Sequence, residues 1–396
     1  MTIRQVTADE RLTTSFPLAA YAFESSPLGA ARTEEFRDYL PYQEGNRTLI
    51  VEEDGSTRAA ASAIPMRQNL RGIVLPMAGV AGVATHPLAR RQGHVRTLLH
   101  QLLDEMRDEG HPLSTLYPFR PSFYARFGYV GLPKPRTVTF SPADLGSLVR
   151  VELPGEVSWE RIGGGYPTWR AFTEGCLEER HGFSIFPDYR AVGLRDRDEC
   201  WLLTARVGGE VTGAVTYRID DHGGTLLGNE LLVTDPLART LLLQFFARHV
   251  DQVERVTVQV PPDELPELWL TDLDVHIEAR VGRPGRSAPM ARLLSLDALN
   301  GLPAGPGRVR IELTGDRWLA GNHLLDGTAG ALELASGASD RVPTATLTAA
   351  GLSALAYGVL DPAELPLRGL GEVPVDAAAE LRSIFPRRVP YLFADF

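Results

Sequence analysis

The 396-residue chain is poor in cysteine and almost without lysine: Cys176 and Cys200 are its two thiols, and Lys134 is its one lysine. Two cysteines close one bridge at most and match no metal-ligand spacing. A disulfide scaffold is therefore excluded, no metal is expected, and two buried, reduced thiols fit a cytoplasmic protein. No apolar run approaches the roughly 18 residues of a membrane span. The opening MTIRQVTADE has neither the basic nor the apolar region of a secretion signal, so no membrane partner is expected. Basic charge is in deficit, with 40 Lys and Arg against 50 Asp and Glu and a formal net charge of −10. That balance disfavours nucleic acid as a partner and mildly favours a cationic one. What the chain does have is core: 44% hydrophobic and 23% charged residues describe a globular protein, long enough for two or three domains.

Residues 80–129 carry the most information. Ala81–Thr85 is small and β-prone, and Pro87 stops it. Arg90-Arg91-Gln92-Gly93-His94-Val95 then leads into a helix in which Leu98, Leu99, Leu102, Leu103 and Met106 recur at i, i+3, i+4 spacing. A glycine at a helix start lets backbone N–H groups approach an anion, and the helix dipole with neighbouring arginines favours a phosphate there. The pattern is a pyrophosphate cradle of the kind that holds coenzyme A. A second strand, Leu113–Tyr117, precedes Ser122-Phe123-Tyr124-Ala125-Arg126-Phe127-Gly128-Tyr129, a short aromatic helix. Phe123 and Phe127 are expected in the core. His86 and His94 flank the cradle, and His94 is expected to point at solvent or phosphate.

Part of this segment recurs. Val83-Ala84-Thr85-His86-Pro87-Leu88-Ala89-Arg90 is echoed by Leu232-Val233-Thr234-Asp235-Pro236-Leu237-Ala238-Arg239, with the threonines 149 residues apart. Thr240-Leu241-Leu242-Leu243 then matches Thr97-Leu98-Leu99-His100, and Arg91–Arg96 has no counterpart. Strands over 201–217, 225–233 and 256–260 and a helix over 241–250 complete a duplicated domain that has lost its phosphate turn. It should not bind the coenzyme.

The strand, Arg-Arg-x-Gly turn and helix resemble the acyl-CoA binding motif of the GNAT N-acyltransferases, with Val95 where a small residue is usual. Phe-Tyr-Ala-Arg-Phe-Gly-Tyr at this distance looks like the Eis (enhanced intracellular survival) branch. The resemblance implies a mixed α+β and α/β chain of tandem GNAT domains, the second degenerate, followed by a domain like sterol carrier protein. The boundaries expected are 1–140, 141–290 and 291–396, with Arg136–Phe140 as a last strand of the first domain. Gly282-Arg283-Pro284-Gly285-Arg286 and Gly301–Gly307 bracket the start of the third. There, strands are expected at Val309–Leu313 and Gly330–Leu334, and helices at Thr346–Tyr357 and Asp376–Ile384.

For the site, the resemblance implies acetyl-CoA as co-substrate, held by Val83, Ala84, Thr85, Arg90, Arg91, Gln92, Gly93, His94, Val95, Arg96 and Phe119. Tyr124 becomes the general acid towards the leaving thiolate. The tail Val389-Pro390-Tyr391-Leu392-Phe393-Ala394-Asp395-Phe396 is apolar and aromatic to its end, and is expected to be buried. The resemblance gives the α-carboxylate of Phe396 the part of base. The region from Tyr21 to Phe36 is where the family builds its acceptor pocket, with Glu24, Phe36 and Asp395 as contacts for a small-molecule amine of the aminoglycoside or polyamine kind. Family members form hexamers, so a homo-oligomer is expected. Two alternatives stay open: an acyltransferase that uses another acyl-CoA through a tunnel near Met77 and Phe119, or modifies protein lysines, and a non-catalytic lipid- or ligand-binding protein.

Overall fold

The computed structural model describes residues 1–24, 26–282, 287–335 and 342–396. Ser25 and the expected linker residues Arg283–Arg286 lie outside them. The chain forms two units: Met1–Leu132 with Arg180–Ala191 and Arg283–Phe396, and Pro133–Glu179 with Val192–Gly282.

The first unit is built on a sheet in which β1 (Thr2–Gln5), β2 (Arg47–Glu53), β3 (Ser56–Leu70) and β4 (Ile73–Thr85) run antiparallel, followed by β5 (Leu113–Leu116) parallel to β4. The long β3–β4 hairpin turns on Arg71 and Gly72, both at positive φ (53° and 101°), as a two-residue turn matched to strand twist requires. Helices α1 (Ser15–Phe23), α2 (Ala30–Tyr39), α3 (His94–Asp108) and α4 (Pro121–Tyr124) complete the N-terminal part. The apolar stripe of α3 divides its work. Leu98, Leu102 and Met106 pack on Leu49, Val51 and the small side chains of Ala59, Ala61, Ala63 and Ala78. Leu99 and Leu103 join Val80, Leu116, Tyr124, Phe127 and Tyr129.

Two strands settle away from the sheets their sequence neighbours suggest. Arg136–Phe140, expected as the last strand of the first domain, pairs instead with Arg255–Val260 and Val275–Glu278 in the sheet of the second unit. The strand Met290–Leu293 takes the place beside β5 in the first sheet and also pairs with Val130–Gly131. Both runs are β-prone, and edge hydrogen bonding does not specify which sheet a strand completes.

The C-terminal part of the first unit carries a five-stranded sheet, ordered Glu333–Ala335, Gly321–Asp326, Arg308–Thr314, Thr344–Thr348, Gly371–Glu372. The expected strand at Gly330–Leu334 is shorter and later, and Gly321–Asp326 is an added strand. The expected helix at Thr346–Tyr357 starts only at Ala349, because Thr346–Thr348 pairs with Glu312–Thr314 and the Thr348 hydroxyl caps the helix by accepting from Gly351 N at 3.1 Å. Every residue of Ala349–Ala356 is buried, as a helix apolar on all sides requires. Its core is continuous with Ile64, Met66, Leu70, Met77 and Leu113 of the first sheet. Helix Val375–Ile384 follows. The tail then runs without regular structure yet with Tyr391, Leu392 and Ala394 buried, as expected.

The second unit has its own mixed sheet, packed on helix Pro236–Ala247 through Leu203, Val215, Leu226, Val256, Leu242 and Phe246. Its strands and helix match the expected repeat in kind and order.

Candidate active site

Beyond Val80, β4 leaves its neighbour. Its parallel pairing with β5 ends at Val80–Leu116, while pairing with β3 continues to Thr85 across a register shift. Gly82 sits at that bulge with φ +60°, a conformation glycine adopts at no steric cost. The result is a strand edge over Gly82–Thr85 released from β5, facing a cleft of about 560 Å³.

The turn that follows is unusual. Arg91 has φ +64° and Gly93 φ +88°, so two left-handed residues curl the backbone immediately before α3. A non-glycine residue pays about 1–2 kcal/mol for that conformation, and such strain gathers at functional sites. No side chain caps the start of α3, so its orphan N–H groups remain for a ligand. Arg90, Arg91 and Arg96 are exposed, line the cleft, and form no ion pair among the described residues. A dianionic group placed here would meet a helix terminus and three guanidinium groups.

Of the coenzyme contacts expected from sequence, Val83, Ala84, Thr85, Arg90, Arg91, Gly93, His94, Val95, Arg96 and Phe119 all line this cleft. Gln92 does not; its amide donates to the Leu88 carbonyl at 3.1 Å and meets His94 Nε2 at 3.2 Å, bracing the turn from outside. His94 lines the cleft, as expected of a residue near the phosphate, and does not face open solvent. It is buried, at 5% exposure, because it shares the inward face of α3 with Leu98 one turn later. Its Nδ1 has no hydrogen-bond partner among the described residues. Met77 is wholly buried, with the Thr115 hydroxyl 3.0 Å from its sulfur, and does not reach the cleft.

Tyr124 lies at the end of α4, 2% exposed. Its ring stands edge-on to Phe119 and Phe123, with centroids 5.3 and 5.1 Å away. Burial, with Tyr129 as the lesser cause, pushes its phenol well above the ordinary value. Tyr129 is itself pushed up to about 12 by burial, and its hydroxyl is 2.7 Å from Ser114 Oγ. Phe123, expected only as core, lines the cleft together with Arg126, Ala22, Phe23 and Ala89. Phe119 precedes α4, Phe123 lies within it and Arg126 in the 3-10 turn that follows, so the cleft is lined from three successive pieces of chain rather than from one helical face.

The tail ends beside the same strands. The Phe396 ring meets Tyr117 edge-on at 5.7 Å and Phe186 at 6.3 Å. It also lies where a side chain on Gly79 would need to be, 3.1 Å from an added Cβ. Gly79 is the residue before Val80, where β4 and β5 part. The Tyr117 hydroxyl reaches the Ala394 carbonyl at 3.4 Å.

The expected acceptor contacts are not gathered in the cleft. Glu24 ends α1 and is held by Arg32 at 2.7 Å, with Arg32 also paired to Glu35. Phe36 stacks on Phe16 at 3.7 Å and fixes α2 to α1. Asp395 is exposed. No group of three or more metal-ligating side chains occurs among the described residues, and no helix there is long and apolar enough to cross a membrane.

Comparison with known proteins agrees with this geometry. The acetyltransferase (GNAT) domain is matched twice, over residues 2–131 and 188–293. N-acetyltransferase Eis of Mycobacterium tuberculosis is 39% identical over 280 residues, which is 65% of this chain and 66% of that protein. An uncharacterised N-acetyltransferase of Streptomyces coelicolor is 27% identical over 70% of each. The match thus spans about two thirds of the length of these relatives. The crystal structure of a GCN5-related N-acetyltransferase from Kribbella flavida superposes with a TM-score of 0.80 at 26% identity, covering 100% of this chain and 98% of that one. Eis1 of Mycobacterium abscessus, at 18% identity, shares the fold with a TM-score of 0.77 over the full length of both. Fold and cleft define an acetyl-CoA-dependent N-acyltransferase with tandem GNAT domains. The chain belongs to the Eis-like GNAT N-acetyltransferases.

Proposed function

We propose that the enzyme transfers acetyl from acetyl-CoA to an amine of a small molecule with several amino groups, in one ternary complex at the first GNAT domain. The observation that carries this is the uncapped, arginine-flanked start of α3 opening on the same cleft as the released edge of β4. In this reading the turn at Arg90–Gly93 takes the pyrophosphate, and the pantetheine lies along Val83–Thr85, whose N–H groups polarise the thioester carbonyl.

The chemistry then needs three proton movements. The acceptor ammonium loses its proton towards the Phe396 carboxylate, directly or through a water. An α-carboxylate of ordinary pKa, about 3.3–3.7, is a weak base, so its larger part is to hold the ammonium in place. The free amine attacks the carbonyl carbon, the C–S bond breaks, Tyr124 protonates the departing thiolate, and the second proton lost by the nitrogen passes through solvent to restore the Tyr124 phenol. A phenol pushed up by burial keeps its proton until that moment, and the same dry surroundings raise the basicity of the thiolate it serves. The buried tail supports the role of Phe396, because its last ring ends at the strand that carries the cleft.

The acceptor class rests on the aromatic lining from Phe23, Phe119 and Phe123 and on the net charge of −10. We also read residues 291–396 as a domain like sterol carrier protein that delivers the tail, and the assembly as a homo-hexamer, which a solution mass measurement tests. Thiol release from acetyl-CoA with aminoglycosides, polyamines and lysine peptides tests the acceptor. Release with the small polyamines and not the peptides is expected; the reverse result overturns the class. Tyr124→Phe should lower kcat by about 10²–10⁴ with acetyl-CoA affinity retained, and wild-type turnover would remove its role. Residues added after Phe396 should abolish turnover in a folded protein that still binds acetyl-CoA.

A further inference from the structure

An arginine with no accessible surface needs a reason. Arg292 is 0% exposed in the four-residue strand Met290–Leu293 beside β5. Its guanidinium is spent on three acceptors: Nε donates to the Leu293 carbonyl at 2.8 Å, Nη2 to Asp316 Oδ2 at 2.9 Å, and Nη1 to the Phe127 carbonyl. Trp318 lies over it at 4.6 Å and Tyr129 at 6.0 Å. Phe127 ends the helical turn Ala125–Phe127 that follows directly on α4. Its carbonyl is one of the acceptors a helix end leaves over, and Arg292 is what satisfies it.

The partner carboxylate is equally fixed. Asp316 Oδ1 accepts from the backbone N–H of Trp318 at 2.9 Å and of Leu319 at 3.1 Å. The Trp318 indole donates to Asp104 of α3 at 2.6 Å, and Arg317 pairs with the same carboxylate at 2.9 Å. His100 of α3 packs against both Phe127 and Trp318, at 5.2 and 6.2 Å. An unbroken set of contacts therefore runs from the helix that opens the cradle, through Asp104, Trp318, Asp316 and Arg292, to the turn that bears Tyr124. Even Gly128, at φ +80°, is shaped to it: an added Cβ would lie 3.1 Å from Arg292 Nη1.

We infer that Arg292 is a positioning residue for the acyl transfer, holding the turn of Tyr124 in register with α3 by its fork between the Phe127 carbonyl and Asp316. The inference rests on Tyr124 as the proton donor to the thiolate. A lysine at 292 keeps the charge beside Asp316 but has no planar fork to serve two acceptors at once. The turn is then free to shift, and a displacement of about 1 Å costs up to about 10²-fold in rate.

The test is a double-mutant cycle with Arg292→Lys and Tyr124→Phe in the full chain, with acetyl-CoA affinity and thermal unfolding measured for each protein. Arg292→Lys should lower kcat by about 10–100-fold while KM for acetyl-CoA stays within about threefold. In the Tyr124→Phe background it should cost nothing further, because the two act through one proton transfer. Asp316→Asn, which frees one arm of the fork, should give a smaller loss of kcat with the same lack of additivity, and serves if Arg292→Lys does not fold. Full multiplicative losses, or wild-type kcat in a folded Arg292→Lys or Asp316→Asn protein, overturn the inference and leave Tyr124 untouched. Wild-type kcat in Tyr124→Phe instead overturns the general-acid reading, and the inference with it.

Discussion

The two repeats spell Pro-Leu-Ala-Arg in the same register and fold it differently. In the first, Pro87–Ala89 is a single 3-10 turn, and the chain continues through Arg90–Gly93 before α3 begins at His94. In the second, Pro236 is itself the first residue of a helix that runs to Ala247, and the Asp235 carboxylate caps it by accepting from Leu237 N at 2.6 Å. The missing residues Arg91–Arg96 and an aspartate where the first repeat has His86 account for the difference. With Arg91–Arg96 present, a helix terminus is left uncapped, flanked by three arginines that form no ion pair among the described residues, and aimed at a cleft. Without them, the terminus is closed by a fixed negative charge where a phosphate would have to sit. In a second domain with an intact core, a shorter connection and one aspartate thus replace the features that suit the first helix terminus to an anion.

The largest effect should come from making the first repeat resemble the second. Gly93→Asp puts a carboxylate at the start of α3 in a left-handed conformation, and should weaken acetyl-CoA binding by about 10²–10³-fold in an isothermal titration. Gly93→Asn tolerates the same backbone without the charge and should cost less than about tenfold, so the pair separates strain from repulsion. An intermediate effect concerns the tail, which the second repeat has no counterpart for. Buried His181 accepts from Arg71 N at Nδ1 and donates through Nε2 to the Tyr357 carbonyl, while its own carbonyl accepts from Tyr391 N. Burial pushes its imidazole down to about 3.

A histidine held neutral in the fold binds its proton more readily when unfolded. Its contribution is therefore complete above about pH 6.5 and is lost as pH falls towards 3. Urea unfolding should show about 1.4 kcal/mol less stability at pH 5.5 than at neutral pH from this group. His181→Asn should flatten that slope; an unchanged slope would free the tail anchor of any acid sensitivity. The smallest effect is the reverse of the first. Asp235→Ala should cost about 1 kcal/mol of stability as a lost cap, with no acetyl-CoA site gained.

Much of this site could be read from sequence because its signals are local. The i, i+3, i+4 stripe of α3, the glycine before it and the aromatic spacing near Tyr124 each sit within one or two turns of chain. The burial of His94 was legible too, because it shares a helix face with Leu98, while its expected place facing solvent or phosphate came from histidine chemistry alone. What sequence could not supply is partner choice. Arg136–Phe140 and Met290–Leu293 are equally good strands for either sheet, and the hydrogen bonds that place them come from residues over a hundred positions away. Arg292 looks like any surface arginine in Met-Ala-Arg-Leu until its strand is placed. Glu24 reads as a free acidic group until Arg32 is folded against it.

On this reading the first repeat holds the coenzyme and the second holds none. Titration of the wild-type chain with acetyl-CoA in a calorimeter tests it most directly. One site per chain, weakened about 10²–10³-fold in Gly93→Asp and unchanged in Asp235→Ala, is the expected result. Two sites per chain, or a single site that keeps its affinity in Gly93→Asp, would contradict it.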